Sequence, residues 1–469
     1  MALERALKTR DIVLFNVAAI VGMRWIALAA ASGPSSLSLW VLAAVAFFIP
    51  QGFSVTALAS AIPEEGGLYV WTKRAFGERH GFMAGWLYWA NNILYFAGLT
   101  VSTVVFALYI FGLRFAHLEK SPAYTATAAV GLLVIALVFN IVGMKSGRWV
   151  QNIGGIAQWV PSTVLFLVGV TALLRFGSAT PMPLASLVPD FAALPTILFF
   201  ANLCFGFAGL ELAPMMAGEV VEPRRTFPRA IVISGLTIAA CYLLGTISLL
   251  WTLPPGEISI ISGVNQAVTK AGARIGLPWL GPPIALLMTL AGLGGCGAWL
   301  VGSARILFVG GLDKYLPPIF GSTHPKWKTP WFAMLFMAAL AAIFIVASTL
   351  GGTVERAYRI LVNATLIVYF LPYLYMFAAT IRLRLEIARQ PEAVPIPGGA
   401  AGSWLWNGLG FVTTLVAIVL ALIPPSDTTD RAGFFLQVAG GSLGFVVAGF
   451  VLYALAVRRR RRAGPASAA

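Results

Sequence analysis

Charge is what this chain has least of. Asp, Glu, Lys and Arg make up 10% of its 469 residues, against about a quarter in soluble proteins, so too few charged groups exist to coat a water-facing surface of this size. A soluble globular chain is excluded. With 59% hydrophobic residues and a mean hydropathy of +0.86, the outer surface must face lipid instead. Cysteine is nearly absent: Cys204, Cys241 and Cys296 all fall inside apolar runs and form no paired spacing, which indicates neither a disulfide framework nor a metal site. The three histidines, His80, His117 and His324, fall in connections. No G-x-x-x-x-G-K-[ST] phosphate loop occurs, so the chain has nothing with which to cradle and hydrolyse a nucleotide. Neither a potassium-type filter nor an arginine ladder supports a channel or a voltage sensor. GGSLG at 440–444 matches the nucleophile-elbow pattern, but it lies in an apolar run without a partner base and reads as a small-residue packing surface. No enzyme, cofactor or metal is expected.

What is abundant is apolar sequence in long runs. Runs bounded by charges, Pro or Gly cover 12–32, 38–61, 82–113, 123–143, 152–174, 192–217, 229–252, 279–304, 330–349, 357–379, 403–423 and 433–457. A span takes about 20 apolar residues, and a helix closes its own backbone hydrogen bonds where no water is available. Twelve transmembrane helices in one all-α polytopic protein are therefore expected. MALERALKTRD runs straight into the first apolar segment without an A-x-A-like cleavage site, so a retained span is expected rather than a signal peptide.

The formal +15 raises the question of nucleic acid. Distribution answers it: the basic residues sit in short stretches between apolar runs, and 23 fall in connections on the N-terminal side against 8 on the other, with Arg24 alone inside a span. That is a topology signal, not a phosphate-binding face, and it places both termini in the cytoplasm of a plasma or inner membrane. The arginine tail 458–462 reads as a stop signal beside anionic lipid.

Two runs depart from a plain lipid-facing helix. In AAIVGMRWIALAAASGP (18–34), Gly22 and the charged Arg24 interrupt span one; in FFANLCFGFAGLELAP (199–214), Gly206 and Gly209 bracket Phe207 and precede Glu211 and Pro214 in span six. A lone glycine usually serves helix packing. Matched interruptions at the start of two five-span halves, each beside an ionisable residue, point instead to an inverted-repeat transporter whose substrate sits where the helices unwind.

The connecting segments carry a family resemblance. ALASAIPEEGGLYVWTKRAFGERHGFMAGW (57–86), FGFAGLELAPMMAGEVVEPRRTFPRAI (205–231) and AWLVGSARILFVGGLDKYLPPIFGSTHPKWKTP (298–330) resemble, in order, three segments of the amino acid/polyamine/organocation superfamily. LPPGEISIISGVNQAVTKAG (253–272) and the relaxed span-one glycines look most like its glutamate/gamma-aminobutyrate antiporter branch. The resemblance covers at least residues 12–379. It implies a leucine-transporter-like fold, with spans 1–5 and 6–10 as inverted repeats in a core of residues 1–379, then two accessory spans and the basic tail in 380–469. It also implies amino acid transport by alternating access, as exchange or proton-coupled symport, with polyamines or other organic cations as the alternative cargo. A non-transporting receptor or scaffold is the rival from another class.

An unwound span frees backbone N–H and C=O groups that a zwitterion can satisfy. Val21, Gly22, Met23 and Arg24, with Phe205, Gly206, Phe207, Ala208 and Gly209, are therefore the expected substrate-binding residues. Arg24 stands where many relatives have a second glycine. It is open to three roles: holding a substrate carboxylate, pairing with a partner such as Glu211, or snorkelling to the interface. Glu211 matches the family's F-x-G-x-E glutamate, which implies substrate coordination, gating or proton coupling; the proton is the one candidate coupling ion. Gln158 occupies the place of a lysine found in many relatives, which weighs against lysine-based coupling. Tyr95, Trp299 and Tyr369 are candidates to face the substrate, each equally able to pack elsewhere. The expected partners are a small amino acid and membrane lipid, with no nucleic acid. Side-chain selectivity, stoichiometry and oligomeric state are not written in the sequence.

Overall fold

The structure is a computed structural model that describes residues 5–112, 114–142, 144–312, 315–350, 354–424 and 430–462. Lys314 and the tail beyond Arg462 lie outside the described residues, as do the side chains of Lys145, Arg148, Arg356 and Arg359, so their share of the basic-residue pattern carries no structural account. Among the described residues there is no strand, only an isolated parallel bridge between Leu7 and Val220.

Among the described residues every apolar run forms helix, and nine helices are long and apolar enough to cross a membrane. The first span is a tenth: Thr9–Ile20 and Met23–Ala31 meet at a 43° bend. Leu194–Phe207 and Trp331–Ala347 are apolar but shorter. The outer faces carry the lipid-facing residues, with Leu174 80% and Leu436 70% exposed. The interior is one large cluster that runs from Ile12 to Ala456, with a small second cluster at Leu108, Tyr109 and Ala285. Arg389 closes a helix that begins at Val354, so span ten continues well past residue 380 before span eleven, Gly399–Ala421, turns back along it.

Three local features position the site. In span two a π-helical turn, Ala44–Phe48, precedes Pro50 and the fully buried Gln51; such wide turns re-aim the side chains that follow. Span six stops at Phe207, is non-helical over 208–212, and resumes as a 3-10 stretch, Ala213–Glu219, with Pro214 in its first turn where no N–H is required. Two connections form short helices of their own, Leu68–Phe76 and Gly263–Arg274.

Arg305 corrects the sequence reading. It was expected in a connection as part of the topology signal, yet it lies within the helix Gly281–Leu312 and is 2% exposed. Its guanidinium pairs with Glu219, and its Nε lies 3.6 Å from Glu65. Glu65 in turn accepts from the Gly218 N–H at 2.8 Å, and the Glu219 carbonyl accepts from Ala6 and Leu7. One buried cation thus joins the segment before span one, the turn after span two, the end of span six and span eight. Burial raises the Glu65 pKa, with Arg305 and the Gly218 N–H opposing the shift. His80 likewise lies inside a helix, Glu78–Leu108, where its Nδ1 meets the Tyr375 hydroxyl at 3.2 Å.

Candidate functional site

Span one breaks where its sequence interrupts, and the freed backbone groups have identifiable partners. The Ala19 carbonyl accepts from Trp299 Nε1 at 2.8 Å, and the Ile20 carbonyl from the Tyr242 hydroxyl at 2.6 Å. The same hydroxyl lies 2.8 Å from the Gly206 carbonyl and accepts from the Gly22 N–H at 3.3 Å. Tyr242, on span seven, therefore ties both breaks together. Gly209 makes the close approach possible. Its φ is +137°, and a Cβ there would lie 2.7 Å from Ile20 Cγ1. Gly209→Ala is expected to destabilise the fold by about 1–3 kcal/mol, read as a lower thermal midpoint in detergent; an unchanged midpoint would show that the break tolerates a side chain.

The two halves of the expected site face different neighbours. Val21, Gly22, Met23 and Arg24 line a small cavity of about 30 Å³ together with Tyr95 and Ser102 of span three, Gln158 of span five and Met288 of span eight. That volume holds about one water molecule, too little for an amino acid. Phe205, Gly206, Phe207, Ala208 and Gly209 are buried but do not line the cavity. Phe207 packs against Phe48 and Trp40 with ring centroids 4.5 and 4.8 Å away, and Phe205 against Trp25, Tyr95 and Tyr369.

Arg24 and Glu211 do not pair. The Arg24 guanidinium reaches the Ser102 hydroxyl at 3.3 Å and lies 5.0 and 5.1 Å from the Trp25 and Tyr95 ring centres. It is 4% exposed, which also removes snorkelling as its role. Glu211 is fully buried and accepts four hydrogen bonds: from Tyr88 (2.7 Å) and Tyr369 (2.6 Å) on Oε1, and from Tyr373 (2.5 Å) and Gln51 (2.8 Å) on Oε2. All four partners donate, so each carboxylate oxygen is doubly hydrogen-bonded. This cage also binds the span-six break to spans two, three and ten.

Gln158 lines the cavity, and its Nε2 finds no hydrogen-bond partner among the described residues. Of the three aromatic candidates, Tyr95 and Trp299 pack at 4.8 Å with their rings tilted by 49° beside the break, and Tyr369 is committed to Glu211; none faces lipid. Sequence reasoning missed Gln51, Tyr88, Tyr242 and Tyr373. Their signal was a polar group inside an apolar run, which requires a partner when buried.

An amino acid permease family model matches residues 7–447. A probable agmatine/putrescine antiporter, AguD of Lactococcus lactis, is 24% identical over 90% of this chain and 88% of its own. A glutamate/gamma-aminobutyrate antiporter of the same species is 23% identical, covering 82% and 78%. The crystal structure of MhsT in complex with L-phenylalanine superposes with a TM-score of 0.68 at 12% identity, covering 89% of this chain and all of that one, so the leucine-transporter-like fold stands. These proteins are transporters and not enzymes. A multi-pass helical membrane protein matched to the family over nearly its whole length, this chain belongs to the amino acid permease family.

Proposed function

We propose that the chain exchanges amino acids across a plasma or inner membrane by alternating access, with the substrate carboxylate on Arg24 at the break in span one. Twelve spans, in two inverted repeats with two accessory spans, would leave both termini cytoplasmic, in keeping with the basic-residue bias. One observation carries the reading: a buried guanidinium lines the cavity left by the break. A permanent positive charge in low dielectric attracts an anionic group and repels a cation. Every amino acid brings a carboxylate. Agmatine and putrescine, named for one relative, bring only positive charge; glutamate and gamma-aminobutyrate, named for another, bring carboxylates. The cavity therefore favours the second class.

Counterflow in liposomes, run for the twenty amino acids and their decarboxylated amines at two pH values, tests this directly. Flux is expected for carboxylate-bearing substrates and not for amines. Binding without flux would make the protein a receptor, and flux of amines alone would reverse the assignment.

Exchange is favoured over proton symport because the relatives named for their cargo are antiporters. Glu211→Gln is thus expected to weaken transport while leaving its response to an imposed pH gradient unchanged. If the variant instead lost that response and kept its flux, Glu211 would be a proton carrier.

A further inference from the structure

A second cavity, of about 560 Å³, opens between spans ten and eleven, far from the helix breaks in composition and setting. We propose that it binds an anionic phospholipid, with the phosphate on Arg382 and Arg384 and the acyl chains along span eleven. The two guanidiniums are oriented by neutral groups. Arg382 Nε donates to the Ala75 carbonyl at 2.6 Å and the guanidinium lies 5.8 Å from the Phe76 ring centre. Arg384 Nη1 donates to the Ile381 carbonyl at 2.8 Å and its guanidinium lies 5.7 Å from Trp404.

Neither has a carboxylate partner among the described residues. The acids of this region are taken: Glu386 pairs with Arg74, and Glu392 with Arg224 at 3.3 Å. Two planar donor forks with unneutralised charge, facing one cavity, are matched by a phosphate, which accepts several hydrogen bonds and carries the missing negative charge.

The rest of the lining distinguishes a lipid from a free phosphate. Beyond the arginines the wall is Ala378, Trp404, Gly408, Phe411 and Val412, all apolar. A helical rise of 1.5 Å per residue sets Val412 about 12 Å deeper than Trp404 along span eleven. Trp404 is 57% and Val412 56% exposed, so this wall looks outward, into the bilayer. A polar mouth, a tryptophan at interface level and an apolar trough reproduce the polarity profile of a phospholipid. A neutral lipid would fill the trough and leave both guanidiniums uncompensated.

The test uses the full chain, delipidated in neutral detergent, with bound lipid counted by native mass spectrometry. Phosphatidylglycerol is titrated against phosphatidylcholine, and glycerol 3-phosphate serves as the soluble headgroup. Phosphatidylglycerol is expected to bind in preference to phosphatidylcholine, and Arg382→Gln with Arg384→Gln to weaken it by about tenfold or more, the effect of losing charge-assisted hydrogen bonds. Gly408→Leu provides a second variant with both charges intact; a Cβ at Gly408 meets nothing within 4 Å, so the leucine fills the groove without strain and is expected to displace the lipid. No preference in the parent chain, or a preference that survives both variants, overturns the proposal. Glycerol 3-phosphate binding as tightly as the lipid overturns the lipid as its source.

Discussion

Arg24→Ala is expected to raise the concentration of amino acid needed for half-maximal counterflow by about 10- to 150-fold, the range set by a hydrogen bond to a charged group worth roughly 1.5–3 kcal/mol. The size of the effect follows from where the group sits. At 4% exposure, beside freed backbone and over two aromatic rings, the guanidinium acts in a setting where water screens little. Arg24→Lys keeps the charge and loses the planar fork, so it is expected to fall between the parent and the alanine variant. A purely structural arginine would behave otherwise. Its removal would lower the thermal midpoint in detergent and leave substrate preference untouched among the molecules that remain folded. Unchanged affinity for every amino acid would sink the assignment.

Arg305→Met is expected to cost about 3–5 kcal/mol of stability, because it leaves Glu219 and Glu65 buried with no counter-charge. The loss depends on pH in a definite sense. Burial already raises the Glu65 pKa, and Arg305 is the group that opposes it; without the arginine the pKa moves up further. A carboxyl whose folded pKa is raised favours the folded state when protonated, and that advantage is lost as pH climbs through the folded value. The midpoint of the variant is therefore expected to rise towards the parent's as pH falls from 8 towards the ordinary carboxylate range. Adding Glu219→Gln to Arg305→Met is expected to recover part of the deficit. A variant as stable as the parent at pH 8 would mean the three groups do not act as one buried unit.

How far the sequence could be read follows from the range of each interaction. The breaks were legible because Gly22, Gly206 and Gly209 are local features of the chain: Gly22 and Gly209 lie in the unwound stretches, and Gly206 in the last helical turn before the second. The need of Glu211 for hydrogen-bond partners was also legible, since a carboxylate in an apolar run is costly anywhere. Its partners were not. Gln51 is 160 positions away, Tyr369 is 158 and Tyr373 is 162. No periodicity within one span encodes a contact with another, so the proposed pairing with Arg24 rested on charge alone and gave way to a cage of neutral donors. Arg305 failed for a related reason. An arginine near the end of an apolar run looks the same whether it faces the headgroups or Glu219, and only packing separates the two. The π-helical turn in span two left no sign beyond Pro50.

The hydroxyl of Tyr242 has a mechanical consequence. Because one oxygen meets the carbonyls of both Ile20 and Gly206, the two bent helices share a pivot. Two independent hinges would allow four combinations of bent and straight, including one with both mouths of the protein open at once, through which solutes would run downhill without being counted. A common pivot removes a degree of freedom. On the proposed exchange reading, the two helices would then turn as one lever, and the swap of one cargo for another would follow from the linkage itself.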